Sequence, residues 1–172
     1  MPYPNETIAG IMTRRSVRDY TDQPVDDDVL DIILTAGAAA PSGKNNQPWR
    51  FVIVRNPELK QEMAGLTHYG RIIEKAPVVT AVFLDKQASY QLIKDHQAVG
   101  ACLQNILLAA HSLGLGAVWL GEILKNGPQV CQILGLGDQY DLMAVVAFGH
   151  PQPKERSSTR LGLDELVLKR FA

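Results

Sequence analysis

Three arginines and a serine lie within residues 14–18 (RRSVR), and they are the strongest candidates for chemistry in this chain. Guanidinium groups bind phosphate oxygens through paired hydrogen bonds, so the cluster can hold a phosphate or a similar anion. The simpler interpretation is a solvated basic turn that complements the end of a helix dipole. If the preceding helix continued, Arg14 and Arg18 would share a face and repel each other unless an anion lay between them. The cluster alone leaves both interpretations open.

The composition of the 172-residue chain restricts which anion is expected. With 46% hydrophobic and 20% charged residues, the sequence predicts one globular domain, residues 1–172, with a substantial core. A formal net charge of −1 argues against a nucleic-acid binder, which would be basic overall. The positive charge is therefore local, and a small ligand fits it better than a polyanion.

No segment of the sequence has the pattern of a targeting signal or a membrane span. Residues 1–6 contain neither a basic region nor an apolar run. The longest apolar segment, residues 98–113, is interrupted by polar side chains and is too short to cross a bilayer. The sequence thus predicts a cytoplasmic protein without a membrane partner.

The elements that must position the cluster alternate between helical and strand patterns. Helical spacing predicts helices at residues 7–12, 26–40, 57–65, 71–75 and 90–113, with another after residue 122. Apolar runs predict strands at residues 51–55, 78–84, 117–120 and 141–148. This order is typical of an α/β or α+β fold. The tail, residues 152–172, is too short for its own core and is expected to wrap over this subunit or a second one.

A polar loop, residues 41–49 (PSGKNNQPW), precedes the first predicted strand. Its prolines, glycine and asparagines are typical of irregular backbone. Its amide and hydroxyl groups are suited to reading the polar edge of a flat ring, although ordinary surface loops have the same composition. Trp49, at the end of the loop, is expected in the core.

Other residue types that carry out catalysis are not arranged as a site. There is no glycine-rich nucleotide-binding motif, and Cys102 and Cys131 are separate residues expected to be buried and inert. The histidines and Ser42 form no catalytic set, and no metal site is expected. His111 is expected to be a structural residue with its hydrogen bonds satisfied. An anion anchor beside an amide-rich loop favours an enzyme whose cofactor carries the chemistry.

Three blocks of the sequence, in this order, resemble the nitroreductase family of FMN-dependent oxidoreductases. They are residues 14–18 (RRSVR), 40–49 (APSGKNNQPW) and 114–121 (GLGAVWLG), and residues 160–167 (RLGLDELV) resemble the family's C-terminal block. The resemblance implies an α+β three-layer sandwich with a mixed central sheet flanked by helices. It also implies an intertwined homodimer, in which a C-terminal arm of about residues 152–172 packs on the partner subunit and two FMN sites lie at the interface.

The same resemblance implies which residues bind FMN. The phosphate would be held by Arg14, Arg15 and Ser16, with Arg160 closing over it. Arg18 would reach the ribityl chain or the N1/O2 edge of the ring, where its charge would tune the flavin.

Two further groups are implied around the flavin ring. The backbone of Leu120 and Gly121 would face N5. Three residues would approach from the partner subunit, namely Pro41, Ser42 and Asn45. In place of the amide side chain that many members use at the pyrimidine edge, this chain has His68, Tyr69 and Arg71, and Arg71 is the expected substitute.

The implied activity is that of an NAD(P)H oxidoreductase that reduces nitroaromatics, quinones or similar small acceptors. Flavin N5, and no protein side chain, would carry the chemistry by a ping-pong mechanism. NADH or NADPH gives hydride to N5 and leaves, and the acceptor then takes two electrons from the same face. The alternatives are a specialised flavin enzyme of the same fold, such as a dehalogenase, dehydrogenase or flavin-modifying enzyme, and a non-enzymatic FMN-binding protein.

Overall fold

The structure is a computed structural model that describes residues 4–171. Residues 1–3, part of the segment expected to lack a targeting signal, and Ala172, the end of the expected arm, lie outside the described residues. The strands are β1 (Trp49–Val54), β2 (Val78–Asp85), β3 (Gly116–Leu120) and β4 (Tyr140–Gly149). The α-helices are α1 (Glu6–Thr13), α2 (Asp27–Ala38), α3 (Pro57–Ala64), α4 (Gly70–Lys75), α5 (Leu92–Ser112), α6 (Gly127–Ile133) and α7 (Leu163–Leu166). Short 3₁₀ helices occupy Gly43–Asn45 and Glu122–Asn126.

The four strands form one sheet in the order β1-β2-β4-β3, and every neighbouring pair is antiparallel. The apolar strands β2 and β4 lie at its centre, where both faces of a strand are covered. Among residues 4–171, parallel pairing is limited to an isolated bridge between Ser16 and Ala117 at the β3 edge. The sheet was expected to mix parallel and antiparallel strands. Among the described residues it is antiparallel, and this bridge is its parallel contact.

Two apolar clusters on opposite faces of the sheet make the three layers. Alternate side chains of β2 point to opposite faces, so that Val82 packs with α2 and α5 and Phe83 packs with α3, α4 and α6. Helices α2 and α5 approach closely at Gly37, where a Cβ atom would collide with Ile106. The α+β three-layer sandwich is confirmed.

Buried single residues behave as the sequence predicts. Trp49 is 5% exposed. Cys102 and Cys131 are free and buried, and burial raises the pKa of the Cys102 thiol to about 12. Such thiols are protonated at neutral pH and chemically inert.

The tail beyond β4 leaves much of its apolar surface uncovered. Leu168 and Phe171 are 93% and 90% exposed, and Leu161, Leu163 and Leu166 are each more than half exposed. Contiguous exposed apolar side chains of this kind mark an interaction surface. Among residues 4–171, no helix is both long enough and apolar enough to cross a bilayer.

Candidate functional site

The arginine cluster lies on extended backbone that packs against the sheet. Helix α1 ends at Thr13, and Arg14 has a φ of −53° and a ψ of 134°. The helix therefore does not continue through the cluster, and Arg14 and Arg18 do not share a helix face. The N–H of Val17 donates to the carbonyl of Ala117 at 3.0 Å, and Gly116 leaves the space that the Val17 side chain fills.

Tyr20 fixes the other end of the segment and joins it to the start of the tail. Its buried hydroxyl lies 2.7 Å from the carbonyl oxygen of Val17 and 3.1 Å from that of Ala147, and burial raises its pKa well above the usual range. The N–H of Gln152 donates to the carbonyl of Asp19 at 3.1 Å. These bonds bring the first residues of the tail beside the arginine cluster.

A cleft of about 450 Å³, here named the arginine cleft, lies where the cluster and the tail meet. Its lining consists of Arg14, Arg15, Ser16, Arg18, Asp19, Lys154, Glu155, Arg156, Ser157, Ser158 and Arg160. Six of these side chains are basic and two are acidic, and one of the acids, Asp19, is paired with Lys154 at 3.3 Å. This surplus of positive charge gives the cleft a potential that attracts anions.

Two buried donors in the cleft have no hydrogen-bond partner among the described residues, the Nε atoms of Arg14 and Arg15. Burial, then the nearby charges of Arg160 and Arg15, lower the pKa of Arg14. A buried unpaired donor costs free energy, and crowded like charges add to that cost. A phosphate, with acceptor oxygens and negative charge, would remove both costs, so the residues present fit it.

The tail contributes basic and hydroxyl groups that the sequence analysis did not identify. The family resemblance implied one residue of the tail as a phosphate contact, Arg160. Arg156 is held by bonds to the carbonyls of Lys154 at 3.0 Å and Gln152 at 3.1 Å. The run at residues 153–160 (PKERSSTR) mixes cations with hydroxyls, and that composition is the signal that could have indicated an anion contact.

The polar loop lies at the opposite edge of the sheet from the arginine cleft. It leads into β1, whereas the cluster pairs with β3, and β2 and β4 separate those strands. At a strand spacing of about 4.8 Å, the two edges are about 14 Å apart. Pro41 and Ser42 line a separate cleft of about 390 Å³ with Tyr90, which shares no residue with the arginine cleft. One subunit therefore does not bring Pro41, Ser42 and Asn45 together with the arginines.

A buried carboxylate holds the polar loop and the start of α5 together. Asp95 is 0% exposed and accepts hydrogen bonds from Asn46 Nδ2 at 2.8 Å and Ser89 Oγ at 2.7 Å. It also accepts from the backbone N–H groups of Tyr90 and Gln91, each at 3.0 Å. No local sequence pattern distinguishes this aspartate from a solvent-exposed one, because its partners come from two separate segments.

The loop needs this support because its backbone is strained. Lys44, Asn45 and Gln47 have positive φ angles of 55°, 56° and 45°. Each such conformation costs on the order of 1 kcal/mol in a residue other than glycine. Strain of this kind persists where surrounding contacts determine the conformation and is concentrated at functional sites.

Asp95→Asn is expected to lower the free energy of unfolding at pH 7 by about 1.5–3 kcal/mol, because an amide cannot accept all four bonds. Burial acts to raise the pKa of Asp95, but the bonds from Ser89, Asn46 and the backbone outweigh it and lower the pKa below 3.8. The carboxylate therefore stabilises the fold above that pH, and this stability is lost as the pH falls through the lowered pKa. Urea titrations from pH 7 to pH 3 measure both effects. The exposed Asp31→Asn is the control, and equal losses in the two variants would contradict the prediction.

The end of β3 places Leu120 and Gly121 away from the phosphate anchors. Leu120 lies three positions after Ala117, which pairs with Ser16, and the distance between them is about 10 Å along the strand. Leu120 is buried and Gly121 is exposed at the turn into the 3₁₀ helix. This turn contacts the segment before α4, because Glu122 Oε2 accepts from Thr67 Oγ1 at 2.6 Å.

The three residues proposed for the pyrimidine edge lie around the start of α4. Arg71 lines a cleft of about 280 Å³ together with Asp19 and Lys154, which also line the arginine cleft. His68 and Tyr69 are exposed beside Glu122. Arg71 thus lies in a cleft that adjoins the arginine cleft through Asp19 and Lys154.

His111 has a structural partner, as expected. Its Nε2 atom lies 3.0 Å from the hydroxyl of Thr13, and burial followed by the charges of Arg14 and Arg15 lowers its pKa. A neutral imidazole is suited to this position behind the arginine cleft. Within residues 4–171, no group of three His, Cys, Asp or Glu side chains could hold a metal ion.

Comparison with known proteins gives a consistent result. The family model described as Nitroreductase family matches residues 11–70 and 65–150. A Methanothermobacter thermautotrophicus protein, provisionally named NADH dehydrogenase/NAD(P)H nitroreductase, is 42% identical over 170 residues, which cover 96% of this chain and 88% of that protein. The NADPH-flavin oxidoreductase of Vibrio harveyi is 31% identical over 169 residues, covering 91% of this chain and 70% of that protein.

The solved structures include a similar fold with a bound flavin. A Desulfovibrio desulfuricans protein, provisionally described as a nitroreductase and crystallised in complex with FMN, has a TM-score of 0.93. The two sequences are 45% identical, and the alignment covers 98% of each chain.

Proposed function

Because this chain belongs to the nitroreductase family, we propose that it is an FMN-dependent NAD(P)H oxidoreductase. The observation that carries the proposal is the arginine cleft, in which two buried guanidinium Nε atoms lack partners and six basic side chains face two acidic ones. The names of the relatives support it, since one is an NADPH-flavin oxidoreductase and another was solved with FMN.

The residues of the cleft divide the binding of FMN among them. Arg14 and Arg15 would donate to the phosphate through their free Nε–H groups, and the exposed Ser16 hydroxyl lies beside them. Arg160 and Arg156 would cover the phosphate from the tail side of the cleft. Neutralising this cluster would provide most of the affinity, because charge-assisted bonds are the strongest in proteins.

The remaining contacts would orient the ring and tune it. Bound FMN supplies two-electron transfer at N5, the chemistry that the side chains lack. Arg18 would place a positive charge near the N1/O2 edge, and the backbone of Leu120 and Gly121 would face N5. Arg71 would contact the pyrimidine edge from the start of α4.

We propose a homodimer, because one subunit holds only part of this site. Pro41, Ser42 and Asn45 lie at the edge of the sheet opposite the arginines, so a second copy must supply them. The bonds of Gln152 and Lys154 to Asp19 keep the start of the tail on its own subunit. The exchanged part of the arm is then residues 161–171, whose leucines and Phe171 are exposed.

The acceptors proposed are nitroaromatics, quinones or similar small molecules, reduced by a ping-pong mechanism. Anaerobic titration with NADH and with NADPH should bleach the flavin absorbance of the purified yellow protein, and the preferred donor should do so at lower concentration. Initial rates against donor at several acceptor concentrations should give parallel double-reciprocal lines.

Three results would contradict the proposed activity and favour another function. A colourless protein that cannot be reconstituted with FMN would exclude the flavin enzyme. Bound FMN that neither nicotinamide bleaches would favour a non-enzymatic binding protein. Bleaching by a nicotinamide without turnover on nitroaromatics or quinones would favour a specialised flavin enzyme of the same fold.

A further inference from the structure

The carboxylate of Glu122 links two segments that are distant in sequence. Its Oε2 atom accepts from the hydroxyl of Thr67 at 2.6 Å and from the backbone N–H of His68 at 3.2 Å. A parallel link follows four residues later, where Asn126 Nδ2 donates to the carbonyl of Leu66 at 2.7 Å. Three hydrogen bonds therefore attach the 3₁₀ helix Glu122–Asn126 to residues 66–68.

The charge of Glu122 is maintained by its neighbours. The Nζ atom of Lys125 bonds Oε1, and the His68 Nε2 atom lies 3.9 Å from the same oxygen. The bond from Lys125, followed by that from Thr67, lowers the pKa of Glu122 to about 2. The carboxylate is thus ionised throughout the neutral range and is a strong acceptor for both Thr67 and His68.

Two side chains of the segment that Glu122 holds are exposed to solvent. The side chain of His68 is 86% exposed, and Tyr69 is 47% exposed. The Thr67 hydroxyl that binds Glu122 also accepts from the N–H of Tyr69 at 3.2 Å, so the bond orders the turn leading into α4. Backbone bonds also cross this turn, from the N–H of Thr67 to the carbonyl of Ala64 at 3.3 Å and from the N–H of Gly70 to the carbonyl of Thr67 at 3.2 Å. The exposed side chains add few packing contacts to these bonds.

We propose that Glu122 is a positioning residue that fixes the turn at residues 67–69 against the turn at Gly121. This inference rests on the proposed FMN site. Gly121 is proposed to face N5, and the start of α4 is proposed to meet the pyrimidine edge of the same ring. The two segments contact different parts of one rigid ring, so their separation must be set before binding for both to engage it. Glu122 acts through the backbone of both segments and need not touch the flavin.

The experiment compares three variants of the full chain, each purified and reconstituted with FMN. Glu122→Ala removes the acceptor, whereas Glu122→Gln keeps one oxygen that can accept from Thr67 and His68. Lys125→Met removes the charge partner, which belongs to the same 3₁₀ helix, and leaves the link to residues 67–68 in place. The readouts are the FMN dissociation constant, the flavin midpoint potential and, in FMN-free protein, hydrogen exchange of the His68 amide.

Glu122→Ala is expected to weaken FMN binding about tenfold or more, since bonds to a charged acceptor are lost. It should also shift the midpoint potential and accelerate exchange at His68. Glu122→Gln and Lys125→Met should bind FMN within about threefold of the unmodified chain, since both variants keep an oxygen that accepts from Thr67 and His68.

Two results would overturn the inference. One is Glu122→Ala with unchanged FMN affinity and potential, and the other is an equal loss in Lys125→Met, which would make the effect one of charge. Failure of the unmodified chain to bind FMN would instead reject the proposed function and the inference with it. The exchange rate of His68 would still report whether the link exists.

Discussion

Arg14→Ala is expected to produce a protein that folds but is purified without FMN. The substitution removes a guanidinium with a buried, unpaired Nε–H in the arginine cleft. Each hydrogen bond to a charged group contributes about 1.5–3 kcal/mol, so losing two from one guanidinium weakens binding by roughly 100-fold or more. Equilibrium dialysis against FMN measures this loss. The thermal midpoint of the FMN-free variant should not fall, because removing one of several crowded cations relieves repulsion.

Arg18→Ala should give a different result and serves as the comparison. Arg18 is exposed and lies at the side of the cleft proposed for the N1/O2 edge. The variant should retain more flavin than Arg14→Ala but have a lower reduction potential. The positive charge that is removed would stabilise the reduced ring, which is the more negatively charged state. Equal loss of FMN from both variants, with no change in potential, would show that this division of roles is wrong.

Lys154→Ala is the matched control for both arginine variants. Lys154 lines the same cleft, but its charge is already paired with Asp19 at 3.3 Å. Exposed ion pairs contribute about 0–1 kcal/mol, so FMN affinity should change less than about fivefold. A loss as large as that of Arg14→Ala would mean that general positive charge, and not the unpaired donors, determines binding.

Replacing Leu168 and Phe171 together by aspartate should convert the proposed dimer into monomers that bind FMN more weakly. These side chains are 93% and 90% exposed in the single chain, so the substitutions remove no contact from its core. Burying such a side chain contributes roughly 1.5–3 kcal/mol, and a symmetric dimer would bury each of them twice. Sedimentation velocity with detection at flavin wavelengths measures mass and FMN content together.

The weaker FMN binding of the arm variant follows from the sheet order. The arginines and the polar loop lie at opposite edges, so separated subunits keep the phosphate anchors and lose the ring contacts proposed for Pro41, Ser42 and Asn45. Lys169→Gln changes the same arm without removing apolar surface and should remain dimeric and yellow. An arm variant that stays dimeric, or a monomer that retains FMN at full affinity, would contradict the exchanged arm.

Much of the fold could be predicted from the sequence, because its signals are local. The hydrophobic runs identified β2 and β4 as strands, and Trp49 and the two cysteines are buried as expected. The helix before the arginines, predicted at residues 7–12, spans Glu6–Thr13, but the course of the chain after it was not predictable. Helical spacing does not show that backbone past Thr13 turns to pair with β3, since that depends on the space left at Gly116.

Part of the candidate site, too, could be predicted from the sequence, and part could not. The sequence alone determined that three guanidinium groups lie close together, and the order of its blocks determined the family, because both are properties of the linear chain. Only the tertiary structure decided that Lys154 and Arg156 join Arg160 beside those arginines, and how far the polar loop lies from them within one subunit. The physical reason is that antiparallel pairing of β3 with β4 brings the tail back to the cluster, while the sheet order places the loop at the far edge.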